Sequence, residues 1–176
     1  MIPHSRPTFG SEEKRAVEAV LDSGQISQGG KVREFESVLA KFTGRAHAVA
    51  TSSGTAALQL SLLALGISRG EEVILPSFSC AALLHAVQAA GARPVLADID
   101  LEDFGLSVTQ VKGKIRRRTR AVIAPHLFGR SGSLEELADG RVFLIEDGTQ
   151  ALGARIGEKK VGSLGVLSVF SFYATK

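Results

Sequence analysis

Hydrophobic positions along the chain follow two rhythms that take turns. Around Ala16, Val17, Ala19, Val20 and Leu21 they recur at helical spacing, behind Ser11 as an N-cap with Glu12 and Glu13 after it, and Gly24 ends the segment. A second helix is predicted from about Lys31, with Phe35, Val38, Leu39 and Phe42 on its buried face and Gly44 at its close. Short apolar runs then read as strands over residues 47–51, 72–75 (closed by Pro76), 94–97, 121–125, 142–145 and 166–172. Helices are predicted between them, from Ala56 to about Leu65, over 81–90 before Gly91, and over 107–117. Ser133 and Glu136 read as a capping box for a short helix to Ala138, and residues 154–156 and 160–161 flank Gly157 as a hairpin. Residues 1–10 read as an extended arm and 25–30 as a loop with paired glycines.

Strands alternating with helices predict an α/β fold with a mostly parallel sheet covered on both faces. No internal repeat, low-complexity tract or linker interrupts it, so one domain is expected over the 176 residues. With 44% apolar and 22% charged residues, composition excludes a disordered chain. The net charge is +3, and much of the basicity sits in the run KGKIRRRTR, Lys112 to Arg120. Such a run can bind phosphates or nucleic acid, but no aromatic residue interleaves with it, and a solvated helix end is the simpler reading.

Cys80 is the only cysteine, which fits a reducing compartment. His4, His47, His85 and His126 are scattered without metal-ligand spacing. No signal-peptide pattern or membrane-length apolar run is present, so a soluble, cytoplasmic protein is expected. Asp98 and Asp100, at one strand end, lack a third oxygen ligand and read as turn and cap residues.

The chemistry gathers where the strands end. The 142–145 run leads into Glu146 and Asp147, followed by Gln150; the 166–172 run delivers Ser171, Tyr173, Thr175 and Lys176. An amine beside a fixed carboxylate is what a pyridoxal phosphate (PLP) enzyme needs: the lysine condenses with the cofactor aldehyde, and the acid keeps the pyridine nitrogen protonated. Upstream, Ser52-Ser53-Gly54-Thr55 lies between a predicted strand and a helix. Free amides at the helix start, the helix dipole and a glycine that admits close approach make that turn a candidate phosphate site, although an ordinary helix cap has the same form.

IEDGTQALGA, then VGSLG, then FSFYATK resembles the DegT/StrS-type family of PLP-dependent nucleotide-sugar aminotransferases, and the resemblance runs from Pro7 to Lys176. It implies that Asp147 pairs with the pyridinium nitrogen and that Gln150 lies beside the 3-hydroxyl. It places Gly54, Thr55 and Ser171 on the cofactor phosphate, and makes Lys176 the Schiff-base lysine and proton shuttle. The position that stacks on the ring falls on Cys80, with Phe78 two residues earlier, and either could cover the ring face. His126 and Gly129 match a V-H-x-x-G segment, with His126 lining the site.

The resemblance further implies an incomplete large domain of the aspartate-aminotransferase-like (type I PLP) fold, truncated at Lys176, with the C-terminal small domain absent. It implies a homodimer that passes an amino group from an amino acid, glutamate, to a keto-sugar nucleotide in polysaccharide or secondary-metabolite sugar synthesis. A terminal carboxylate on Lys176 itself would favour the ammonium form of that side chain. Two rivals stand beside this reading. Sugar dehydration on the same fold is disfavoured by Lys176, because family dehydratases carry histidine there. The other is a truncated fragment that dimerises or binds a partner without turnover.

Overall fold

The computed structural model describes residues 2, 5–130 and 134–176, which form two compact units, Met1–Ala50 with Phe172–Lys176, and Thr51–Ser171. The larger unit is built on a five-stranded sheet of β1 (Glu72–Pro76), β2 (Arg93–Ala97), β3 (Thr119–Pro125), β4 (Phe143–Asp147) and β7 (Leu167–Val169), in the order β2-β1-β3-β4-β7. Every pairing in it is parallel. β5 (Arg155–Ile156) and β6 (Lys159–Lys160) form the expected hairpin, and the α/β class is as read from the sequence.

Side-chain alternation along the strands splits the core in two. Val73, Leu75, Ala121, Ile123, Ile145 and Val169 point to one face, where Leu58 and Leu62 of α3 (Gly54–Ala64) and Leu83, Ala86 and Val87 of α4 (Ala82–Ala89) cover them. Ile74, Val122, Ala124 and Leu144 point to the other, against Val111 of α5 (Val108–Lys114), Leu106, Leu134 and Leu137. Each fully buried aliphatic side chain contributes about 1.5–3 kcal/mol, so strands clad on both faces are the most firmly held part of the chain. β2 is an edge strand. Arg93 and Ala97 turn their backbone groups towards β1, so Pro94 falls on the outer side, where its missing N–H leaves one donor fewer to recruit another strand.

The strand order reverses between β1 and β3, which opens a crevice at their carboxyl ends, the usual place for a ligand in an open α/β sheet. Gly91 (φ 82°) ends the α4 segment as predicted. Asp98 accepts from Ser77 Oγ (3.2 Å) and the Ile99 amide (3.0 Å), and Asp100 from the Glu102 amide (2.9 Å), which are the turn roles expected of them.

The smaller unit holds α1 (Ser11–Asp22) and α2 (Gly30–Thr43). Gly44 closes α2 in the left-handed region, as expected, but α1 is capped by Gly10, and Ser11 is its first helical residue. Glu13 accepts from the Gly10 amide (2.6 Å) and takes the place of the expected serine cap. The predicted apolar faces form but are not buried: no residue of α1 is buried, Phe35, Val38 and Phe42 are exposed, and Ala40 and Thr43 are the buried positions of α2. A unit of about fifty residues has too little apolar surface to enclose its own stripes.

Three further expectations are corrected. Residues 47–51 form no strand, because no other strand pairs with them among the described residues. The run at 166–172 is a strand only over β7, where the ladder with β4 ends at Asp147 opposite Val169. The helix expected over 107–117 stops at Lys114, because Ile115 turns extended and the Arg116 amide goes to Thr119 Oγ1 (2.9 Å). Ser133 of the expected capping box, and His4, lie outside the described residues; Glu135–Leu137 forms a single 3-10 turn. No helix among the described residues is long and apolar enough to cross a membrane.

Candidate active site

β4 sets the centre of the site. It lies between β3 and β7, and its last residue, Asp147, is opposite Pro125 on one side and Val169 on the other. The Asp147 carbonyl accepts from the His126 amide (2.9 Å), and the next amide, of Gly148, donates to the Val169 carbonyl (2.8 Å). The backbone is thus tied on both flanks, and the side chain issues from a fixed point. Asp147 is 5% exposed, and its Oδ1 accepts from the Thr149 amide (3.0 Å). Its Oδ2 takes no hydrogen bond from the described residues. A carboxylate nearly out of water with one oxygen open is a strong acceptor for a cationic N–H.

At the start of α3, Ser53 is the N-cap, its Oγ accepting from the Ala56 amide (3.1 Å). Gly54 and Thr55 are the first helical residues, whose amides no carbonyl of the helix can take. A Cβ on Gly54 would stand 3.4 Å from Thr149 Cγ2 and 3.7 Å from Ser171 Cβ. The fold therefore brings together the helix start, the turn after Asp147 and Ser171, two residues past the end of β7. Gln150 Oε1 accepts from the Phe128 amide (3.1 Å).

Cys80 is exposed, just ahead of α4, and Phe78 is half-exposed with its ring 6.4 Å from that of Phe104. Lys176 belongs to the smaller unit, where its amide donates to the Tyr173 carbonyl (2.8 Å) and the Phe172 ring meets Phe35 edge-on at 4.8 Å. His126, expected to line the site, is 1% exposed and faces inward, its Nε2 3.1 Å from Glu146 Oε2. The carboxylate sets that nitrogen as the protonated one.

Glu146 was legible only as one of two acids at a strand end, and the structure gives it a full set of partners. It is 0% exposed; Oε1 accepts from the amides of Leu164 and Gly165 (2.7 Å each), and Oε2 from the Gly162 amide (2.9 Å) and His126. Burial disfavours its charged form, but the hydrogen bonds from His126, Gly165 and Gly162 outweigh that and hold its carboxyl below the ordinary carboxylate value.

Residues 7–176 match the DegT/DnrJ/EryC1/StrS aminotransferase family. The chain is 39% identical to GDP-perosamine synthase of Vibrio cholerae over 181 aligned residues, covering 100% of this chain and 49% of that protein. A candidate sugar aminotransferase of Streptococcus pneumoniae, in its PMP form, superposes with a TM-score of 0.95 at 29% identity, over 99% of this chain and 49% of the other. A mutant of the dehydratase ColD with bound GDP-perosamine superposes with a TM-score of 0.91 at 28% identity, over 99% and 48%. The chain spans about half the length of the curated relatives it matches. With nearly every residue inside the family match, the chain belongs to the DegT/DnrJ/EryC1/StrS aminotransferase family.

Proposed function

We propose that these residues form the cofactor-binding part of a PLP-dependent aminotransferase whose acceptor is a keto-sugar nucleotide, and that residues 1–176 are part of its large domain. The observation that carries the reading is Asp147, a buried carboxylate at the end of β4 with Oδ1 fixed by the Thr149 amide and Oδ2 open. Gly54, at the start of α3, stands beside Thr149 and Ser171, where the free amides of the helix start can receive an anion. The residues present therefore fit the cofactor.

PLP, when bound, supplies an aldehyde that condenses with amines and a ring that accepts electrons. Asp147 Oδ2 would hold a proton on the pyridine nitrogen. The amides of Gly54 and Thr55, with Ser171 Oγ, would bind the phosphate, Gln150 would stand by the 3-hydroxyl, and Cys80 or Phe78 would cover the ring. Lys176 Nζ would move a proton between the donor's α-carbon and the cofactor carbon, and the reverse way with the acceptor. Glutamate as donor, a homodimer, and a place in polysaccharide or secondary-metabolite sugar synthesis belong to the same proposal. The GDP-sugar named for the Vibrio cholerae and ColD relatives supports a nucleotide-linked acceptor. Lys176 speaks for amino transfer over dehydration.

Mixing the chain with PLP, following visible absorption, reducing with borohydride and mapping the adduct by mass spectrometry tests this. Labelling is expected at Lys176, lost in Lys176→Ala and weakened about tenfold or more in Asp147→Asn. Scattered labelling of surface lysines would overturn cofactor binding by this chain and favour a non-catalytic fragment.

A further inference from the structure

We infer that Glu146 is a positioning residue of the candidate site: its carboxylate, seated among the amides of the 162–165 turn, locks β7 to β4 and so fixes where Ser171 stands relative to Asp147.

The turn is shaped around that carboxylate. Three of its amides, from Gly162, Leu164 and Gly165, converge on the two oxygens of Glu146. Converging backbone N–H groups make an anion-binding concavity, and here the chain fills it with its own acid. The conformation is open only to glycine at two points. Gly162 sits at φ +93°, with a Cβ 2.5 Å from Phe170 Cζ, and a Cβ on Gly165 would lie 2.4 Å from the Leu144 carbonyl oxygen. A Cβ on Gly148, next to Asp147, would meet the same Phe170 ring at 2.6 Å. The glycines of VGSLG and the glycine after Asp147 thus share one purpose, to let the turn and Phe170 close onto the end of β4.

β7 needs such a lock. It is three residues long and pairs with β4 only through Ile145–Leu167, Glu146–Ser168 and Asp147–Val169. A short ladder specifies register weakly, and a slip of one residue would turn every following side chain to the other face. Ser171 follows two residues after the last pair. Glu146 removes that freedom, because the turn just before β7 must meet both of its oxygens. His126 extends the tie to β3: its Nε2 reaches Glu146 and its amide reaches the Asp147 carbonyl.

Glu146→Gln tests the lock with little change of shape. One oxygen becomes an NH2 group, which faces the two backbone donors of Leu164 and Gly165 in one orientation and the Gly162 amide in the other. In the 176-residue chain, amide exchange followed by NMR is expected to speed up about tenfold or more at Gly162, Leu164, Gly165 and Gly148, and not at Ile74 of β1. PLP affinity, from the visible titration, should fall about tenfold in the folded variant although Asp147, Ser171 and Lys176 are intact. Glu146→Asp, which keeps the charge on a shorter arm, should fall between the two, and serves if the glutamine variant does not fold. Unchanged exchange at Gly148, or equal acceleration at Ile74, would overturn the inference. So would wild-type PLP affinity in a variant whose turn has loosened. The affinity arm rests on the cofactor reading above. If the wild-type chain takes up no PLP, that reading fails, and exchange at Gly148 alone decides the lock.

Discussion

Glu72 and Glu146 are both buried glutamates on strands of one parallel sheet, at its opposite ends, and they are held by different means. Glu72 opens β1 at the amino-terminal end, where it pairs with the Arg93 guanidinium and accepts from Thr119 Oγ1 (3.4 Å). Arg93's side chain is 69% exposed, so this charge is balanced by a group that stays largely in water. Glu146, near the carboxyl end of β4, is balanced by backbone amides and an imidazole with no exposed surface. A long side chain can follow small movements of its partner, whereas backbone amides cannot. The amino-terminal end therefore balances charge, and the carboxyl end fixes geometry. The basic run from Lys112 to Arg120 belongs to the first kind. Lys112 pairs with Glu136, Arg120 with Glu71 (3.2 Å), and Arg116 caps the carbonyls of Gly113 and Ile115 (2.8 and 2.9 Å).

The sharpest way to break the comparison is at Gly165. Its substitution by alanine drives a methyl group to 2.4 Å from the Leu144 carbonyl oxygen, and neither atom sits on a movable side chain. A loss of about 3 kcal/mol or more is expected, read as a fall in the urea midpoint by circular dichroism. An unchanged midpoint would mean that the turn is loose and the geometry at this end unspecified.

Glu146→Gln comes next, at about 2–3 kcal/mol, because it leaves buried amide donors without acceptors. Its pH dependence has a definite sign. The folded carboxyl of Glu146 lies below its ordinary value, so its stabilisation is fully present above the unfolded value of about 4.3 and is lost as pH falls through the lower folded value. The gap between wild type and Glu146→Gln should be widest above about pH 5 and close as the solution is acidified through that window. A gap that stays constant down to about pH 3 would show that charge on Glu146 is irrelevant.

Gly113→Ala gives the counterpart on α5, near the basic end. Nothing lies within 4 Å of the place its Cβ would take, its φ is ordinary, and the residue is within a helix. The same substitution that unfolds the 162–165 turn should here stabilise by up to about 1 kcal/mol, seen as a rise in Tm.

How much of this could be read in advance differs along the chain. The place of Asp147 at a strand end was legible because a β-branched, apolar run leads straight into the two acids, and SSGT marked the helix start that Ser53 caps. Burial of the α1 and α2 stripes was not legible, because periodicity reports which face is apolar and not whether anything covers it. The strand expected at 47–51 failed for a related reason: a strand is a property of a pair. Glu146 was missed because its partners lie 16 to 19 residues later, in a turn whose glycines read locally as punctuation. The signal was present in the combination of an acid one residue before the strand end and a glycine-bracketed turn just ahead of the next strand.

The smallest effect belongs to Glu72→Gln, and salt makes it the most informative about the two ends. Removing the charge should cost about 0.5–1 kcal/mol at low salt, because Arg93 is largely hydrated and its attraction to Glu72 is screened. Raising ionic strength from about 0.1 M to 1 M shortens the screening length from about 10 Å to about 3 Å. Urea titrations of both variants across that range should show the Glu72→Gln penalty shrinking towards zero. The Glu146→Gln penalty should hold, since its partners are backbone dipoles at 2.7–2.9 Å out of reach of mobile ions. If both penalties fall in parallel, the amides at the carboxyl end act as no more than another screened counter-charge, and the distinction between a charge-balanced end and a geometry-fixing end collapses.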